Sequence, residues 1–145
     1  MSACLLGLCT RCDGGHKLRR DVVDGLCGLW GVPVCPEQLG GLPTPRAPAE
    51  IVPGADGRAA DGRDVVEGRA RVVSRDGADV TDCYLRGARE TLRLAELLGA
   101  RRAILKEGSP ACGVCRIKRG EADVPGAGVT AALLLARGVR CEGIE

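Results

Sequence analysis

Phenylalanine is missing from this 145-residue chain, and Trp30 and Tyr84 are its only aromatic residues. A row of aromatic side chains for stacking bases is therefore excluded. The core must be assembled from Leu, Val, Ile and Ala. Histidine occurs once, as His16 in a Gly-rich polar stretch, and reads as solvated rather than as a ligand or base. A one-signed charge excess is also lacking. Lys plus Arg is 21 and Asp plus Glu is 19, which leaves +2. That balance argues against a purely electrostatic grip on nucleic acid or membrane. No apolar run reaches the roughly 18 residues of a membrane-spanning helix. Residues 1–8 have no basic leading region and only a short, broken apolar run, so they do not read as a signal peptide. The expectation is a cytoplasmic protein with no membrane partner and no obligate protein partner.

What is abundant is cysteine, with nine residues: Cys4, Cys9, Cys12, Cys27, Cys35, Cys83, Cys112, Cys115 and Cys141. A reducing compartment disfavours a disulfide framework and favours metal ligation or reactive thiols. Cys27, Cys83 and Cys141 lie in apolar or helical contexts and read as small core hydrophobes. The 45% hydrophobic content excludes wholesale disorder. The length suits one core and is too short for two ordinary ones, so residues 1–145 are expected to form a single domain.

Punctuation and periodicity place the elements. Residues 1–6 suit a short buried strand closed by Gly7, and residues 19–26 a short helix or turn. Residues 32–35 read as a second strand stopped by Pro36. Residues 40–48, dense in Gly and Pro, predict an irregular loop. Residues 51–68 are polar and read as a surface excursion. Residues 70–74 suit an edge strand before the turn signal Asp76-Gly77. The clearest helix is 82–98, where Leu85, Ala88, Leu92 and Ala95 recur at helical spacing. Thr81 or Asp79 can cap its start, and Gly99 suits its C′ position. A strand at 103–106, a helix at 129–136 ended by Gly138, and a strand at 139–141 complete the pattern. Alternating strands and helices predict an α/β domain with a mostly parallel sheet flanked by helices. Ligands in such sheets sit beyond the carboxyl ends of the strands. Cys4, Cys35 and the 109–112 segment all fall there.

The thiols admit several chemistries. Cys9-Thr10-Arg11-Cys12 and Cys112-Gly113-Val114-Cys115 form two CxxC pairs, as a tetrahedral zinc site would need. Almost the whole chain separates them, against the fifteen to twenty residues usual in zinc ribbons. A redox dithiol at Cys112 and Cys115 needs a helix opening behind it, and Arg116-Ile117-Lys118-Arg119-Gly120 is a poor helix start. Scattered cysteines also suit an iron–sulfur cluster. Spacing alone does not choose among these.

The flanking residues are more specific. Ser2-Ala3-Cys4-Leu5-Leu6-Gly7, Asp13-Gly14, Val34-Cys35-Pro36-Glu37 and the run from Gln38 to Arg46 resemble the thiouracil desulfidase family, long known as a domain of unknown function. So do Asp79-Val80-Thr81, Ala103-Ile104-Leu105-Lys106, Ser109-Pro110-Ala111-Cys112-Gly113 and the run from Pro125 to Leu133. The likeness spans nearly the entire chain in order and is weakest over 51–68. It implies a 4Fe-4S cluster held by Cys4, Cys35 and Cys112, with one iron lacking a protein ligand. It implies catalytic roles for Glu37 and Ser109. The reaction it implies is non-redox hydrolysis of a thiolated pyrimidine, base or nucleotide, to the oxo form with release of sulfide. Thiolated tRNA stays open as a substrate beside the small molecule.

Read by themselves, Glu37 is a solvated or turn carboxylate and Ser109 an ordinary turn residue. In extended chain, Cys35 and Glu37 would point to the same side. Gly40 and Gly41 either form a rigid connection or let backbone approach a flat ring. Arg46 is equally a phosphate anchor or a surface charge. Position 12, commonly Tyr in the relatives, is Cys12 here, and Cys9, Cys12 and Cys115 are extra thiols near the expected site. The alternative from a different class is a non-catalytic, zinc-stabilised module contacting RNA through Arg46, Arg101 and Arg102. A thiol redox protein is the third reading, and it needs a low-pKa thiolate at Cys112.

Overall fold

The computed structural model describes residues 1–26, 30–55 and 57–145. Its centre is a parallel pair, β3 (Arg102–Lys106) and β6 (Arg140–Ile144), in register from Arg102 opposite Arg140 to Lys106 opposite Ile144. The chain start extends this layer. The Ser2 N–H donates to the Ile104 carbonyl at 2.9 Å, and Ser2 bridges Val34 in parallel. The expected strands at 1–6 and 32–35 are thus each reduced to a short ladder. Residues Ala3–Leu6 turn at once into a 3-10 helix ended by Gly7 at φ 87°. A further strand would carry Cys4 away from the sheet end, and the turn keeps it there.

Two antiparallel pairs accompany the parallel layer. β1 (Ala49–Val52) pairs with β2 (Arg71–Ser74), and β4 (Arg116–Arg119) with β5 (Ala122–Pro125). The sequence pattern missed β1 and the β4–β5 hairpin. The expected surface excursion over 51–68 is corrected as well. Ile51, Ala60 and Val65 are buried there, and α3 (Gly62–Val66) starts on an Asp61 capping box. Its polar residues form that cap and the loops, while its few apolar ones enter the core.

The helices are α1 (Arg20–Asp24), α2 (Pro36–Leu39), α3, α4 (Thr81–Leu97) and α5 (Val129–Ala136). α4 buries Ala88 and Leu92 as its periodicity predicts, with Leu85 and Ala95 partly buried and Tyr84 buried in addition, and Gly99 follows it at φ 61°. Asp79 accepts from the Thr81 N–H at 3.0 Å, while the Thr81 hydroxyl accepts from Val72 on β2. The core runs from Ile51 and Val72 through α4 and α5 to Leu105 and Ile117. Cys141 and Cys83 are half-buried, and Cys27 lies outside the described residues.

α2 meets α4 backbone to backbone. A Cβ on Gly40 would stand 2.0 Å from the Cys83 carbonyl oxygen, and one on Gly87 1.8 Å from that of Pro36. Gly40 therefore serves helix packing and does not approach a ligand. Among the described residues no helix is long and apolar enough to cross a membrane. Gly87→Ala is expected to cost about 1–3 kcal/mol or more by overpacking. A drop of several degrees in Tm would register that loss, and an unchanged Tm would contradict the close contact.

Candidate functional site

Three chain segments end together at the carboxyl edge of the parallel layer: residues 2–4, residues 34–37, and the loop leaving β3 at 107–112. They line one cavity of about 480 Å³, together with Thr10, Cys12, Arg46 and Tyr84. Cys4, Cys35, Cys112, Glu37 and Ser109 all line it. Cys12 does as well, whereas Cys9 and Cys115 are exposed and outside its lining.

Pro36 decides the local shape around Cys35. It occupies the first turn of α2 with Cys35 as the N-cap residue, so the segment is helical where extended chain was expected. Glu37 still reaches the cavity, from the helix. The Cys35 thiol donates to the Thr10 carbonyl at 3.5 Å.

The Cys112 loop is fixed from both sides. The Ser109 hydroxyl oxygen accepts from the Ala111 and Cys112 N–H groups at 3.2 and 3.1 Å. Ser109 thus shapes the turn, and no acceptor for its own O–H stands among the described residues. At the start of α5, the Val129 and Thr130 N–H groups donate to the Pro110 and Ala111 carbonyls. Gly128 passes so close to this loop that a Cβ would stand 2.5 Å from Ala111 carbon. Beyond Cys112 the buried Glu107 carboxylate accepts from the N–H groups of Val114, Cys115 and Arg116 at 3.1, 3.0 and 3.0 Å. Gly143 on β6 makes room for it, since a Cβ there would collide with the Glu107 carboxylate. The second half of the CxxC motif is therefore tied into a carboxylate nest and leads into β4, not into a helix.

The thiols are electrostatically coupled, each opposing ionisation of its neighbour. Burial pushes the Cys112 thiol up to about 12. The Ser2 hydroxyl, a hydrogen-bond partner, lowers it, and the charges of Glu37, Cys35 and Cys4 raise it. Burial also raises Cys4, with Cys35 adding to the rise and Arg11 and Lys106 opposing it. Lys106 is in turn lowered by burial, with Cys4 opposing. A raised thiol is the reverse of the low-pKa thiolate that the redox reading requires at Cys112.

Arg46 and Tyr84 are the residues the sequence reading misplaced or passed over. Arg46 is neither a surface charge nor a free phosphate anchor. Its side chain is 6% exposed, and Nε donates to Glu37 Oε2 at 2.5 Å. Tyr84 is buried beside them as a hydrogen-bond partner of Glu37. Burial first, and the Glu37 charge second, hold its phenol well above the ordinary range. Its position as one of two aromatics, on the inner face of α4, was the available signal. The arginines of the RNA reading do not form a patch. Arg101 and Arg102 line a different cavity, and Arg102 pairs with Glu142 at 2.6 Å.

Among the described residues no three Cys, His, Asp or Glu side chains are close enough to share one metal ion. Of the two CxxC pairs, Cys12 and Cys112 line the cavity, while Cys9 and Cys115 lie exposed outside it. A cluster imposes a different requirement, because each thiolate binds its own iron at a separate corner. Three free thiols from separate segments around one cavity fit that donor set.

Comparison with known proteins decides the family. Residues 1–143 match the 2-thiouracil desulfurase family. The chain belongs to that family. A relative in Bacillus subtilis (strain 168), the uncharacterized protein YbbK, is 41% identical over 143 residues, covering 97% of this chain and 91% of the relative. A solved structure, the [4Fe-4S]-dependent thiouracil desulfidase TudS, matches with a TM-score of 0.78 and 39% identity, over 98% of this chain and 87% of that one. The α/β fold expected for this 2-thiouracil desulfurase family member is thus shared with TudS.

The geometry predicts an order of thiol reactivity in the cluster-free protein. Cys112 is buried and burial holds its thiol up, so it should resist alkylation at pH 8 while exposed Cys9 and Cys115 react first. Raising the pH should speed Cys112. Site-resolved mass spectrometry after iodoacetamide reads this, and equal labelling of Cys112 and Cys115 would contradict it.

Proposed function

We propose that this protein is an iron–sulfur-dependent desulfidase that hydrolyses a thiolated pyrimidine, base or nucleotide, to the oxo form and releases sulfide. The observation that carries the reading is the convergence of Cys4, Cys35 and Cys112 on a cavity shared with Glu37 and Ser109. Membership of the 2-thiouracil desulfurase family and the likeness to TudS support it. A cavity of about 480 Å³ suits a small ligand, which favours a pyrimidine compound over thiolated tRNA. The eight described cysteines are free thiols, which accords with a reducing, cytoplasmic setting.

In this reading Cys4, Cys35 and Cys112 would hold a 4Fe-4S cluster as thiolates. When bound, the cluster supplies an iron without a protein ligand, a Lewis acid with affinity for the soft thiocarbonyl sulfur. Glu37 takes a proton from the water that attacks the thiocarbonyl carbon. The Ser109 hydroxyl, already accepting from two N–H groups, uses its O–H to hydrogen-bond the bound substrate and gives up no net proton. C=S and water become C=O and hydrogen sulfide, so no electron donor or acceptor is consumed.

Protein purified without oxygen should hold about four iron and four acid-labile sulfides per chain. Cys4→Ala, Cys35→Ala or Cys112→Ala should abolish loading. Glu37→Ala and Ser109→Ala should keep the cluster and lose about 10²–10⁴-fold in thiouracil turnover. Full activity in either would refute the residue roles. Zinc near one per chain without iron would refute the cluster.

A further inference from the structure

We propose that Arg46 is the positioning residue that holds Glu37 at the reacting centre and locks it to the Cys35 segment, an inference that rests on the function proposed above.

The guanidinium spends its donors on separate parts of the site. Nε binds Glu37 Oε2 at 2.5 Å. Nη1 donates to the Pro43 carbonyl at 3.1 Å and the Thr44 hydroxyl at 3.0 Å. Nη2 donates to the Thr10 carbonyl at 3.0 Å and lies 3.8 Å from Cys35 Sγ. The Arg46 backbone N–H donates to the Cys12 carbonyl at 2.8 Å. One side chain thereby joins the carboxylate, a cluster-binding thiol, the 10–12 segment and the 43–44 turn.

A surface ion pair would do none of this, since exposed pairs contribute little and shift freely. Here both partners are largely withdrawn from water, at 6% and 14% exposed. A carboxylate so placed needs a cation, and only a planar fork can serve the partners on its other edges. Lysine keeps the charge as one compact point and cannot reach Oε2, Thr10 and Thr44 together. Arg46 fixes one oxygen of Glu37, and with it the direction of the carboxylate. It does not itself touch the bond that breaks.

Displacing a catalytic group by about 1 Å costs on the order of 10²-fold. Arg46→Met leaves the Glu37 carboxylate without its cation and endangers the fold, so Arg46→Lys is the decisive variant. Cluster-loaded Arg46→Lys should keep the iron, sulfide and visible absorption of the parent. Its kcat on thiouracil should fall about 10²-fold, with KM changed by less than about threefold. The double variant Glu37→Gln/Arg46→Lys should be no slower than Glu37→Gln alone, because Arg46 acts through Glu37. In the cluster-free protein, the unfolding midpoint of the double variant should fall by less than the two single losses together. Additive losses in kcat overturn the proposal, as does a parental kcat in Arg46→Lys. Loss of iron in that variant also overturns it, by making Arg46 a support of the cluster alone. A cluster-loaded parent that turns over no thiolated pyrimidine instead defeats the functional reading, whatever the variants do.

Discussion

The first residues of the chain lie between β3 and residues 32–34, and the cavity depends on that insertion. The Met1 ammonium donates to the Val32 carbonyl at 2.7 Å, and the Val34 N–H donates to Met1 carbonyl at 2.8 Å. The Ala3 N–H returns to Val34, and the Ser2 N–H crosses to Ile104. The Lys106 N–H donates to the Ser2 hydroxyl oxygen at 3.1 Å, and that hydroxyl is the hydrogen-bond partner of Cys112. Cys4, Cys35 and the Cys112 loop therefore leave the layer at one level. Backbone bonds set this arrangement, so three thiols from separate segments line one cavity.

Around the thiols, the two largely buried carboxylates both have partners. Glu107 has three backbone N–H groups, and Glu37 has Arg46 and Tyr84. The cost of withdrawing a carboxylate from water is offset by charge-assisted bonds. The two carboxylates then differ in kind. Glu107 is consumed in holding the chain after Cys112, while Glu37 lines the cavity held by a single guanidinium nitrogen and a phenol.

Much of the fold was legible from local pattern. α4, α5 and β3 sit where their periodicity and terminal glycines place them. Their signals differ in kind: α4 repeats apolar residues at helical spacing before Gly99, α5 is an apolar run before Gly138, and β3 is a short apolar run. β1 and the β4–β5 hairpin escaped because Ala49–Val52 and Arg116–Arg119 are four-residue strands with too few apolar positions to alternate. Residues 51–68 misled for a related reason. Their composition is polar, yet Ile51, Ala60 and Val65 reach the core from a chain anchored by Asp61.

The cysteines that could serve one cavity were picked out by the sequence, since residue type and position at strand ends carry chemistry without any coordinates. Glu37 and Ser109 were legible only through the motifs around them. What the tertiary structure alone decided was partnership. Arg46 and Glu37 are nine residues apart, and the partners of Arg46 include Thr10, 36 positions away. Cys115, three residues from Cys112, faces outward because Glu107 captures its N–H, while the more distant Cys12 lines the cavity. Such choices arise from which backbones approach closely enough to exclude water, as at Gly40 and Gly87. No local pattern of residue types encodes that distance.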